Sequence, residues 1–250
     1  MTNIIVAGGV GTFVAMVLQF CGITSALGAV TLAIRSLVRL SFLPVNIGSV
    51  AMSTPPTGLG FAFGCFFCYG SKVGWYHSFF LPIILVEMEC GEGSIWGAVD
   101  ECTLVLVSAG ICTANIVYSW LFRKKSESMP PQRLHNSDHD VSLRGLKINL
   151  LCGDFIEAAY PFMERSVIVN AFAYLASGVS TEILFRERAD NVLGSAYLPV
   201  MLSLYLAGDR GRAVLSGFVA FTIAFVGGLI GNTFKGKRHK DEERHKEKDE

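Results

Sequence analysis

Residues Thr103 to Phe122 read TLVLVSAGICTANIVYSWLF and are followed at once by Arg123, Lys124 and Lys125. Twenty residues without a charge, at about 1.5 Å rise each, match the roughly 30 Å hydrocarbon core of a bilayer. Two further runs are built the same way. Ala213 to Phe234 carries no charge and meets Lys235, Lys237, Arg238 and Lys240, and Ile4 to Ile34 is uncharged over 31 residues and stops at Arg35 and Arg39. The pattern predicts an all-α, polytopic transmembrane bundle whose first partner is the lipid bilayer.

Composition agrees. The chain has 250 residues, 51% hydrophobic and 17% charged, with mean hydropathy +0.46, whereas soluble domains carry about 25% charge. Basic and acidic residues balance at 21 each, so no global field points to nucleic acid. Their placement is uneven. The stretch 123–147, RKKSESMPPQRLHNSDHDVSLRGLK, holds six basic and three acidic residues, and the tail from Lys235 to Glu250 holds seven and six, with the basic ones nearest the apolar run.

The organisation read from these runs is an N-terminal membrane half (1–122), a polar loop (123–147), a C-terminal membrane half (148–234) and a charged tail (235–250). Further spans are expected at Ile4–Cys21, Gly58–Gly70, Val73–Met88, Ile148–Met163, Val167–Phe185 and Val192–Ala207, with a short or re-entrant piece at Phe42–Met52. Counting every apolar piece gives about seven to nine spans. Basic loops stay in the cytoplasm, which places 123–147 and the tail on that side. An even number of crossings then separates them and favours Ile148–Met163 as a crossing. Gly208–Arg212, with two arginines, falls outside in this arrangement, against the trend.

Carboxylates inside apolar runs cost on the order of 3 kcal/mol each near mid-bilayer, so they point to function. The segment GDFIEAAYPFMER from Gly153 carries Asp154 and Glu157, which on a helix are i,i+3 neighbours sharing one face. Pro161 would open the turn at Glu157 and free carbonyl oxygens beside the pair, an oxygen-rich setting suited to a cation or a proton relay. The first half offers Pro82, then Glu87, Glu89 and Glu92 in a glycine-rich break. Interfacial placement is the alternative, with Glu87 to Glu101 as a wet loop and Glu164 pairing Arg165. Glu182 is expected to pair Arg186 at i,i+4 on the surface. His77, beside Trp75 and Tyr76, reads as part of an interfacial belt.

Other chemistry is thinly supported. Cys65-Phe-Phe-Cys68 has CxxC spacing but no second CxxC, paired histidine or polar shell, so neither metal nor other cofactor is expected. The N-terminus MTNII lacks a basic n-region, so no cleavable signal peptide is expected. GxSxG, Walker and HExxH motifs are missing, and the chain is not expected to be an enzyme. Gly60-Phe-Ala-Phe-Gly64 and Gly227-Gly228-Leu-Ile-Gly231 allow close helix approach, within a bundle or at an oligomer face. The tail's lysines Lys246 and Lys248 are spaced like the dilysine retrieval signal of endoplasmic-reticulum membrane proteins. The expected location is therefore the endoplasmic reticulum if the source is eukaryotic, and the plasma membrane if it is prokaryotic.

The expected function is transport of a small solute or ion by a transporter or channel, with Asp154 and Glu157, then Glu87 and Glu89, lining the path. A non-catalytic subunit or assembly factor of a larger membrane complex, alone or as a homo-oligomer, is the second reading.

Overall fold

The architecture comes from a computed structural model that describes residues 46–47, 50–51, 58–89, 94–123, 133–153, 156–186, 194 and 196–249, with side chains for 58–85, 88, 94–121, 138–153, 156–186, 194 and 196–234. The apolar run Ile4–Ile34, Asp154 and the side chains of Glu87, Glu89 and the charged tail lie outside the described residues.

The fold is all-helical; besides helices the described residues hold one short antiparallel pair, β1 (Asn46–Ile47) with β2 (Val50–Ala51). In chain order come α1 (Leu59–Lys72), a π turn (Tyr76–Phe80) leading into α2 (Leu81–Glu89), and α3 (Ile95–Val99), which passes through a second π turn (Asp100–Leu104) into α4 (Val105–Arg123). Then follow α5 (Arg133–Cys152), a 3₁₀ turn (Ile156–Ala159) with α6 (Tyr160–Arg165), α7 (Val167–Phe185), α8 (Val200–Leu206) and α9 (Arg210–Asp249). Three of these helical stretches are long and apolar enough to cross a membrane: Ile95–Leu121, Val167–Phe185 and Arg210–Phe234.

Several expected spans are not single helices. Ile148–Met163 is split: α5 ends at Cys152, Gly153 turns the chain with φ 62°, and the 3₁₀ turn and α6 follow. Pro161 stands in the first turn of α6, where a missing N–H costs nothing, so it starts a helix and does not open one. Val192–Ala207 is helical only over α8. Gly58–Gly70 and Val73–Met88 form α1 and the π turn with α2, each too short to be a full span on its own.

The polar stretch 123–147 is helical from Arg133. Its inward face reads Ser142, Gly145 and Asn149, all buried, while Val141, Leu143, Arg144, Leu150 and Leu151 are exposed. Helical periodicity is present there, written in side-chain size instead of hydropathy, which is why an apolar reading leaves it out.

Small residues hold the helices together. A Cβ on Gly60 would lie 2.7 Å from Glu182 Cα, and one on Gly64 would collide with the Ser177 carbonyl, so α1 lies directly on α7. In the reverse direction, Gly178 of α7 receives the Phe61 ring. On α9, Gly227 faces Phe172, Gly228 faces Ala114 and Gly231 faces Val169, which seats α9 against both α7 and α4. Both glycine clusters are thus used inside the chain. Gly110 of α4 admits the Phe221 carbonyl in the same way. Around these contacts Phe63, Phe67, Phe80 and Trp96 form an aromatic cluster, with Phe67 and Phe80 centroids 4.3 Å apart and Phe63 and Trp96 4.8 Å apart.

Glu182 also locks α1. Its Oε1 accepts from Gly58 N and its Oε2 from Phe61 N, each at 3.1 Å. The carboxylate thereby covers two of the unsatisfied N–H groups at the start of α1 and meets the positive end of its dipole. The expected pair with Arg186 is present at 3.8 Å, secondary to this cap.

Gly64→Ala should lower stability by about 1–3 kcal/mol, because the added methyl meets backbone that cannot step aside. Gly211→Ala, whose nearest neighbour lies 3.4 Å away, should leave it unchanged. Thermal unfolding of the detergent-solubilised chain measures both, and equal midpoints would remove the close-approach account.

Candidate functional site

The deepest acids are Asp100 and Glu101, 1% and 0% exposed, at the start of the helical stretch Ile95–Leu121. The interfacial alternative read from sequence would end a wet loop at Glu101; the structure puts both residues inside the bundle. Ser94 starts the helix, its Oγ accepting from Gly97 N at 2.9 Å. Its backbone pairs with Gly194 at 3.0 and 3.1 Å, which ties the segment before α8 to this end.

Asp100 and Glu101 open one π turn, and Tyr76 opens the other. A π turn carries one residue more than an α turn and rotates the following side chains, and such turns occur frequently at functional sites. Tyr76 Oη donates to Asp100 Oδ2 at 2.6 Å and lies 2.7 Å from Tyr197 Oη. Tyr197 holds φ 62°, which makes it the one non-glycine residue with positive φ among the described residues. For a bulky residue that conformation costs on the order of 1–3 kcal/mol and persists only where the surroundings impose it.

Glu101 points the other way. A Cβ on Gly153 would collide with both its carboxylate oxygens and with the Leu198 carbonyl. The left-handed turn after α5 therefore needs glycine on two counts, backbone conformation and space.

From Glu101 a polar line follows α4 at seven-residue intervals through Ser108 and Asn115, about 21 Å along the axis. Helix α5 runs antiparallel and supplies the partners. Asn149 Nδ2 donates to Ser108 Oγ at 2.9 Å, and Asn115 Nδ2 donates to Ser142 Oγ at 3.2 Å. Asn232 of α9 adds a third helix, its Nδ2 donating to Asn115 Oδ1 at 2.7 Å. Asn149 Oδ1 is buried with no hydrogen-bond partner among the described residues.

Glu157 lies on the 3₁₀ turn, 32% exposed, with its Oε1 3.3 Å from His77 Nε2. His77 is next to Tyr76 in the chain, so this pair stands at the rim of the same end. Asp154 is outside the described residues. Glu87 and Glu89 lie on α2, with side chains outside the described residues. Glu164 is exposed, and its neighbour Arg165 pairs instead with Asp138 of α5 at 2.9 Å. Asn170 accepts from Lys72 Nζ at 3.0 Å. Among the described residues no group of three His, Cys, Asp or Glu is arranged to hold a metal ion.

The buried pair Asp100 and Glu101 was not singled out because hydropathy began the span at Thr103. The seven-residue spacing of Glu101, Ser108 and Asn115 was the available signal. Comparison of the chain with family models, curated proteins and solved structures finds no match.

Tyr76→Phe should destabilise the chain by about 1–3 kcal/mol, since it leaves a buried acceptor without its donor. Tyr69→Phe, at a half-exposed ring (50%), should be neutral. Chemical denaturation in detergent distinguishes them, and matched midpoints would mean the Tyr76–Asp100 bond contributes nothing.

Proposed function

We propose that this chain is an integral membrane transporter or channel for a small solute or ion, with Asp100 and Glu101 at the centre of its path. The observation that carries the reading is the burial of two adjacent carboxylates inside a helix long enough to cross a membrane. Such groups are costly in a bilayer and mark ion or proton pathways. The polar line from Glu101 along α4 supports the same reading, because it runs through an otherwise apolar span and is met by Asn149 and Ser142 of α5 and by Asn232 of α9. Asp154, which follows Gly153 in the chain, and Glu157, at the rim beside His77, are lesser candidates for the same end.

In this reading the bundle is in two halves, with the segment 123–147 and the tail in the cytoplasm, as their basic residues favour. The location is the plasma membrane or the endoplasmic reticulum, according to the source. No catalytic step is proposed.

A second reading, a non-catalytic subunit of a membrane complex, is favoured by one observation. The outer face of α9 leaves Val214, Leu215 and Phe218 exposed, a surface that suits a partner helix as well as lipid.

The test is flux of protons, sodium and potassium into liposomes carrying the purified chain. Asp100→Asn and Glu101→Gln should each lower flux at least about tenfold, the equivalent of about 1.4 kcal/mol in the barrier, while Glu164→Gln, at an exposed carboxylate, stays within about twofold of wild type. No flux from the wild-type chain, together with co-purification of a fixed partner, would establish the subunit reading. Modification of a cysteine placed in 123–147 from outside intact cells would reverse the orientation.

A further inference from the structure

We propose that Tyr197, Tyr76 and Asp100 form a proton relay between the rim of the bundle and its buried carboxyl end. The proposal deepens the transport reading by naming the proton as an ion that this site handles, and rests on that reading for its purpose.

Three observations converge on it. The first is continuity: the two phenol oxygens are 2.7 Å apart and Tyr76 Oη is 2.6 Å from Asp100 Oδ2, both ordinary lengths for O–H···O bonds. The second is the burial gradient. Asp100 and Tyr76 are each 1% exposed, whereas Tyr197 is only part-buried, so the chain of hydroxyls leads from the interior outward. The third is backbone geometry. Tyr197 is held at φ 62°, and both Tyr76 and Asp100 open π turns. Each conformation is less favourable than a regular helix or loop would be, and together they bring three oxygens from three separate segments into one line. A hydroxyl both donates and accepts, so a proton arriving at one oxygen releases another to the next.

The step balances without redox chemistry. A proton from water at the rim binds Tyr197 Oη as that hydroxyl passes its own proton to Tyr76 Oη, which passes its own to the Asp100 carboxylate. As many O–H bonds form as break, and one positive charge moves inward. Reorientation of the two hydroxyls resets the chain. The titratable groups around it are Glu101 and Cys102 on the same π turn, His77 beside Tyr76, and Glu157 against His77.

The experiment uses the full chain in liposomes. A pH jump is followed by time-resolved infrared spectroscopy of the protonated carboxyl band, which Asp100→Asn assigns by removing it. Tyr197→Phe and Tyr76→Phe should slow the appearance of the Asp100 band at least about tenfold, corresponding to about 1.4 kcal/mol in barrier height. Tyr69→Phe should keep the wild-type rate. If Tyr76→Phe does not fold, Tyr197→Phe decides alone, since its ring is part-exposed. Wild-type rates in the folded tyrosine variants, or no Asp100 band in the wild type, would overturn the relay.

Proton flux under an imposed pH gradient is measured on the same samples. A slowed band with no wild-type flux keeps the relay and sinks the transport reading; flux that persists with an unslowed band does the reverse.

Discussion

The structure depends on how closely its helices approach. Lipid tails are as apolar as leucine, so apolar burial alone gives no reason for two spanning helices to associate. Contact between backbones supplies the attraction instead, and glycine or serine at each crossing permits it. Gly60 of α1 meets Glu182 and Phe185 of α7, Gly64 meets Ser177 and Thr181, and Gly227, Gly228 and Gly231 seat α9 between α7 and α4. Each such crossing also fixes rotation, because a helix that turned by one residue would bring a bulky side chain to the contact.

That constraint decides where the polar groups go. With α4 held against α9 on its small-residue face, the row Glu101, Ser108 and Asn115 is directed at α5, and α5 answers with Asn149 and Ser142. A polar side chain in hydrocarbon without a partner costs several kcal/mol, so the antiparallel register of α4 and α5 is set by these bonds as much as by shape. At the Glu101 end the regular packing gives way to two π turns, a left-handed glycine at 153 and a left-handed tyrosine at 197. Irregular backbone at a buried, acid-bearing end is the arrangement in which membrane proteins build ion sites.

Much of the fold was legible from residues alone. Charge-free runs ending in Arg and Lys identify two of the three long helices, and Val167–Phe185 follows from its length and composition. The glycine clusters announce close crossings. The acids were read less well. Asp154 and Glu157 drew attention through their i,i+3 spacing; Glu157 stands partly exposed on a 3₁₀ turn, and Asp154 lies outside the described residues. Asp100 and Glu101 were passed over because two adjacent charges next to a glycine-rich stretch resemble a loop, and nothing local distinguishes a loop from a buried helix start. Helix α5 was read as a loop because its inward face is small and polar.

What the sequence determined by itself is therefore which helices are long and apolar enough to cross a membrane, since length and hydropathy are properties of a segment considered alone. Which carboxylates are buried, and what they touch, was decided only by tertiary structure. Burial depends on segments far apart in the chain, here those holding Tyr76, Gly153 and Tyr197, closing around Asp100 and Glu101 from several sides.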